Sequence, residues 1–170
     1  MKKFFLLLLV QTLCLTITAG NINKLYRSAL TDKGMLYFLD EQKMPKCKAG
    51  ASLKPLLFDV TYLTSNDTVS IKSTVISLQA YKNTAVTIEK SNGQKITVPT
   101  EVIYRDLKGK GYKNRIEIKI PKKTYLELYN DSQPFIIDFG DNNRFGFSAG
   151  KWAKHRQDVN RIWEIILLNK

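Results

Sequence analysis

Val86-Thr87-Ile88-Glu89-Lys90-Ser91-Asn92-Gly93-Gln94-Lys95-Ile96-Thr97-Val98 alternates apolar and polar side chains on both sides of a central Asn-Gly. Period-two alternation sends successive side chains to opposite faces of a strand. Asn-Gly is the strongest local hairpin cue, because a tight turn there needs positive φ. The segment predicts a β-hairpin, and Pro99 should end its second strand or place it at an edge.

The same pattern extends in both directions. Upstream, Phe58, Val60 and Tyr62 alternate with Asp59, Thr61 and Leu63, Ser65-Asn66-Asp67 turns the chain, and Val69 and Ile71 resume the alternation toward Leu78. The phase slips at Val75-Ile76, which predicts a bulge there. Downstream, Glu101 to Leu107 reads as a strand and residues 108–114 as a flexible connection. Ile116, Ile118 and Ile120 then form a half-buried strand stopped by Pro121. Phe135 to Phe139 and Arg144 to Phe147 flank Gly140-Asp141-Asn142-Asn143 as a third hairpin.

Two segments change period. In 122–130, Tyr125, Leu128 and Tyr129 share a helical face behind Pro121, although Leu126 and Leu128 also alternate. A short helix is the preferred reading. Near the end, Trp152, Val159, Ile162, Trp163 and Ile166 fall on one side and Lys154, Gln157, Asp158, Arg161 and Glu164 on the other, as in an amphipathic helix over 150–168. A last strand over Trp163 to Leu168 is the competing reading. Residues 21–55 are less regular. Met35 to Leu39 suggests a buried strand, and Asp40 to Lys54 suggests a loop. The expected fold is α+β and sheet-dominated, built of antiparallel hairpins like a β-sandwich or β-roll, with the two helices as described.

The first 20 residues carry a different message. Met1-Lys2-Lys3 is basic, Phe4 to Leu15 is apolar, and Thr16 to Gly20 is small and polar. This is the pattern of a cleavable signal peptide, and the apolar run is too short for a spanning helix. The remaining 21–170 is then one β-rich exported domain with no further transmembrane span, destined for periplasm, cell surface or medium. The leader takes two of the 27 basic residues and no acid, so 25 basic side chains face 15 acidic ones, a formal +10. Cys14 leaves with the leader, and Cys47 has no internal disulfide partner.

Familiar catalytic chemistries find little material. His155 is the lone histidine, set among Lys151, Lys154 and Arg156, and a solvated helix face is its expected place. No G-x-S-x-G elbow is present. One histidine and one mature cysteine do not make a zinc site. Asp138-Phe139-Gly140 lacks the loops a kinase needs, and the segment from Asp141 lacks the twelfth-position glutamate of a calcium loop. Asp59 and Asp138, at strand positions, are expected to face solvent. No cofactor is expected.

The positive feature is basic. Arg105, Lys108, Lys110, Lys113, Arg115, Lys119, Lys122 and Lys123 oppose Asp106 and Glu117 alone, with Gly109, Gly111 and Tyr112 among them. Such a segment suits the phosphates or sulfates of a polyanion, and it equally suits a lysine-rich loop that keeps a sheet edge soluble. The functional expectation is a non-catalytic binding or structural domain of the cell envelope or secreted fraction. Its partners would be an anionic glycan, a lipid surface or an envelope protein; nucleic acid is disfavoured by compartment. The alternative is an exported hydrolase that uses carboxylates. No motif is specific to a family.

Overall fold

A computed structural model of the chain describes residues 25–45, 55–140 and 143–168. The leader, Cys47 and the end of the expected 40–54 loop lie outside the described residues. The strands are β1 (Tyr26–Thr31), β2 (Gly34–Met44), β3 (Leu56–Leu63), β4 (Thr68–Ser77), β5 (Ala85–Glu89), β6 (Lys95–Lys108), β7 (Gly111–Pro121), β8 (Ile136–Asp138) and β9 (Arg144–Gly146). The helices are α1 (Lys122–Asn130) and α2 (Ala149–Leu168). The nine strands form one curled antiparallel sheet in the order β1-β2-β3-β4-β7-β6-β5-β8-β9. The sheet-dominated α+β expectation is therefore met.

Alternation sorts the sheet into two faces. Phe58, Val60 and Tyr62 of β3, Val69, Ile71 and Val75 of β4, and Ile116, Ile118 and Ile120 of β7 are all buried. Their registers place them opposite one another, Val60 with Ile71 and Ile71 with Ile118. On this oily face lies α2, which buries Trp152, Val159, Ile162, Trp163 and Ile166 at helical spacing. Helical period thus prevails over the competing strand at 163–168, because it aligns Trp163 and Ile166 with the earlier apolar positions. Tyr62 packs against Trp163 with centroids 4.9 Å apart, and Tyr129 of α1 against Trp152 at 5.2 Å.

The other face is charged in alternation. Asp59, Lys72, Glu117 and Glu101 stand opposite one another across β3, β4, β7 and β6. One solvated face is the usual state of an antiparallel sheet with its opposite face covered.

Several boundaries differ from the sequence expectation. β2 continues to Met44, because Gln42, Lys43 and Met44 pair with Phe58, Leu57 and Leu56 after a register shift following Leu39. That irregularity absorbs the polar Asp40-Glu41 that sequence reading takes for a loop. No shift occurs at Val75-Ile76, where β4 and β7 stay in register from Thr68 to Ser77. Instead Ile76 sits on the outer face opposite Lys113. The connection expected over 108–114 shrinks to two residues, since Lys108 pairs with Gly111 and Gly109 turns the chain at φ 62°. Pro99 does not end its strand. β6 pairs with β5 up to Pro99 and with β7 from Thr100, so the proline sits where the strand changes partners.

Asn114 of β7 fastens the connection between β4 and β5. Its buried Oδ1 accepts from the Tyr81 N–H at 3.2 Å and from Arg105 Nε at 3.2 Å, and its Nδ2 donates to Ser77 Oγ at 3.3 Å. Asn114→Ala leaves the Tyr81 N–H without this acceptor inside the protein. Leaving a buried polar group unpaired costs about 1–3 kcal/mol. Urea unfolding of Asn114→Ala should show a loss of about that size, without loss of strand content by circular dichroism.

Candidate functional site

A cavity of about 40 Å³ opens between the inner face of β2–β3 and the two helices. Leu39, Phe58, Val60 and Ile162 supply apolar walls, while Tyr125, Tyr129 and His155 bring polar atoms to it. Asp40, Gln42 and Asp158 also line it. Asp40 carries an exposed ion pair to Arg27 at 3.4 Å. The space is small, on the scale of a few water molecules.

The polar lining has a definite order. Tyr129 Oη and His155 Nε2 are 3.2 Å apart and buried. His155 stacks on Phe147 with centroids 4.6 Å apart and meets Phe58 edge-on at 6.1 Å. Burial lowers the His155 pKa to about 4, so the ring is neutral at pH 7. Burial also pushes the Tyr125 hydroxyl up to about 12 and holds Tyr129 well above the ordinary phenol range. The hydroxyl of Tyr125 and the indole N–H of Trp163 are buried and make no hydrogen bond of good geometry among the described residues, although Tyr125 loosely approaches both Tyr129 and Trp163. Their rings lie 5.5 Å apart.

Sequence reading places His155 on a solvated helix face; the structure places it inside. The signal was available: position 155 lies three residues after Trp152 and four before Val159, on the apolar face itself. The basic neighbours drew attention away, yet Lys151 and Lys154 are exposed on the other side. Tyr125 and Tyr129 were legible as helix-face residues and not as a polar lining, since only their tertiary setting orients the hydroxyls.

The basic segment is distributed along the full length of β7, which at 11 residues spans about 35 Å. Arg105 turns inward, to Asn114 Oδ1 and the Tyr81 carbonyl. Arg115 pairs with Asp59 and donates to Thr74 Oγ1 at 2.9 Å. Lys119 bonds Glu117 at 3.0 Å, which raises its own pKa and, with Ser70, helps lower that of Glu117 against desolvation. Lys113 stands 5.5 Å over the Tyr104 ring. Lys122 meets Asp67 at 3.3 Å and the Tyr62 ring at 5.7 Å. Tyr112 is half-buried opposite Ser77. Lys108 and Lys110 are exposed at the hairpin tip, and Lys123 is exposed at the start of α1. The segment's charges thus serve several separate contacts.

The carboxylates singled out in the sequence also stand apart. Asp59 is on the outer face with Arg115, while Asp138 on β8 accepts from the Gly140 N–H at 2.8 Å and lies 3.4 Å from Arg144. Among the described residues no cluster of His, Cys, Asp or Glu could hold a metal ion, and no helix is long and apolar enough to cross a membrane. No family model matches the chain, and no curated protein or solved structure matches it significantly.

His155 makes stability pH-dependent. Its folded pKa lies below the ordinary imidazole value of 6.5, so the unfolded chain binds the proton more readily. Its contribution is present above pH 6.5 and is lost as pH falls toward 4. A depression of this size corresponds to roughly 3 kcal/mol. Urea midpoints measured from pH 7.5 to 4.5 should fall for the parent protein, and His155→Phe should flatten that part of the profile.

Proposed function

We propose that this chain is an exported, non-catalytic binding domain that takes a small neutral hydrogen-bond acceptor into the cavity between β2–β3 and the helices. One observation carries the reading: a buried tyrosine hydroxyl, Tyr125, lines that cavity and makes no hydrogen bond of good geometry among the described residues, having only loose approaches to Tyr129 and Trp163. An unpaired buried donor costs free energy, and a bound acceptor would recover it. A space on the scale of a few water molecules limits the ligand to a few heavy atoms. An anionic ligand is disfavoured there, because burial holds His155 neutral and Asp40 and Asp158 would repel it.

Export rests on the leader-like first 20 residues and implies a mature chain beginning near residue 21. Asp40 and Asp158 also give the carboxylate hydrolase reading its support, as both line the one cavity. That reading requires both acids for turnover, whereas binding by Tyr125 does not.

The test is ligand-observed NMR at pH 7 with small amides, lactams and sulfoxides, each bearing one strong acceptor. Members of the panel should bind the parent protein and lose binding to Tyr125→Phe. Since only loose polar approaches to Tyr129 and Trp163 are removed, Tyr125→Phe should change folding stability by less than about 1 kcal/mol. Absence of binding across the panel, or binding that survives Tyr125→Phe, would refute the assignment.

A further inference from the structure

We propose that residues 101–108 of β6 are a self-pairing edge, through which two copies of this chain join their sheets antiparallel about a two-fold axis. The site is separate from the cavity and does not depend on it. Three features of the molecule lead there.

First, this part of β6 has a strand on one side only. Its pairing with β5 ends at Pro99, and from Thr100 to Lys108 its partner is β7. Lys108 and Gly111 close a two-residue turn, so alternate residues from Leu107 backward turn their N–H and C=O groups away from β7. Such a row is a template for another strand.

Second, the edge is apolar where it is exposed. Leu107 is 77% exposed, Ile103 47%, Tyr104 39% and Val102 36%. Leu78, 57% exposed, follows Ser77, which lies opposite Tyr112 as Leu107 does from the other side.

Third, the charges commit the edge to a second copy. Glu101-Val102-Ile103-Tyr104-Arg105-Asp106-Leu107-Lys108 is nearly complementary to its own reverse. With the irregularity between Val102 and Tyr104 taken in each strand, antiparallel pairing about Arg105 sets Glu101 against Lys108 of the second copy at both ends. Val102 then meets Leu107, Tyr104 meets Asp106, and the two Arg105 residues meet at the axis, each drawn inward to its own Asn114 and Tyr81 carbonyl. The pleat agrees, since Tyr104 and Asp106 lie opposite Arg115 and Lys113 on the outer face. Val102 and Leu107 lie opposite Ile116 and Tyr112, both on the inner face, and Glu101 and Lys108 take the outer one. Opposite residues in a ladder must share a face. A one-residue slip sets Leu107, of the inner face, against Glu101, of the outer one. A two-residue slip sets Asp106 against Glu101. Within one chain Glu101 stands opposite Glu117, and Lys119 serves both acids. Lys108 of the second copy brings a further cation to the pair.

Sedimentation velocity of the purified protein from about 1 to 100 μM tests this. A dimer is expected. Glu101→Lys and Lys108→Glu should each weaken it about tenfold or more, because each places like charges opposite one another twice. The double variant Glu101→Lys/Lys108→Glu restores opposite charges and should return the dissociation constant to within about threefold of the parent. Its recovery separates lost pairing from lost folding. A protein that stays monomeric over the whole range overturns the proposal. So do a dimer indifferent to both single changes, a double variant that fails to recover, and a monomer that pairs only with a strand of another protein.

Discussion

The closure of α2 over the inner sheet face is the contact on which the other features rest. Trp152 and Trp163 are buried on that helix and reach Tyr129, Phe135, Tyr125 and Tyr62. Aromatic side chains of this kind bury about 150–250 Å² each and prefer tilted or edge contacts. Without the helix, the apolar rows of β3, β4 and β7 would form a patch far larger than a few hundred Å², which soluble domains rarely expose. α1 enters the same seam through Tyr125, Leu128 and Tyr129. Its start is fixed by the Lys122 N–H, which donates to the Asp67 carbonyl at 2.7 Å in the β3–β4 turn.

Within that closure the polar groups are unevenly served. His155 and Tyr129 meet each other, while Tyr125 and Trp163 make no hydrogen bond of good geometry among the described residues. A core built for stability alone would place phenylalanine at 125, because an unpaired buried hydroxyl only costs free energy. Local rules broken without structural compensation concentrate at functional positions. The cavity lies beside this imbalance, lined by Tyr125, Tyr129, His155 and Asp158 of the helices and by apolar and polar side chains of β2 and β3. That coincidence gives the binding reading its weight.

Strand alternation made most of the sheet legible. The hairpins at 58–71, 86–98 and 135–147 required only local pattern and turn residues, and the helical period of 152–166 survived a competing strand reading. What local pattern does not encode is which strand neighbours which. Asp40-Glu41 looks like a loop until β3 pairs beyond it, and Pro99 looks like a terminus until β6 is seen to change partners there. Residues 108–114 look flexible because glycine and lysine dominate, yet the Lys108–Gly111 pair leaves only two of them unpaired. The candidate site was less legible still. Arg105, Arg115 and Lys119 form a basic run in one dimension, and in three Arg105 and Arg115 find their partners in remote segments or across the sheet, while Lys119 pairs with Glu117 two residues away. His155 was hidden by neighbours that face the other way.

The β6 edge follows from an inequality of lengths. β6 has 14 residues and β5 has five, so the longer strand must outrun its first partner. β7 covers one side of the excess. Proteins ordinarily blunt such an edge with lysine or a bulge, and this one has both, at Lys108 and between Val102 and Tyr104. Blunting by charge works when the same sign recurs along the edge. Here the signs are opposed at the two ends, Glu101 and Lys108, and Val102, Ile103, Tyr104 and Leu107 lie between them. An arrangement that repels most strands therefore accepts its own reverse, which turns a protective device into a selective one.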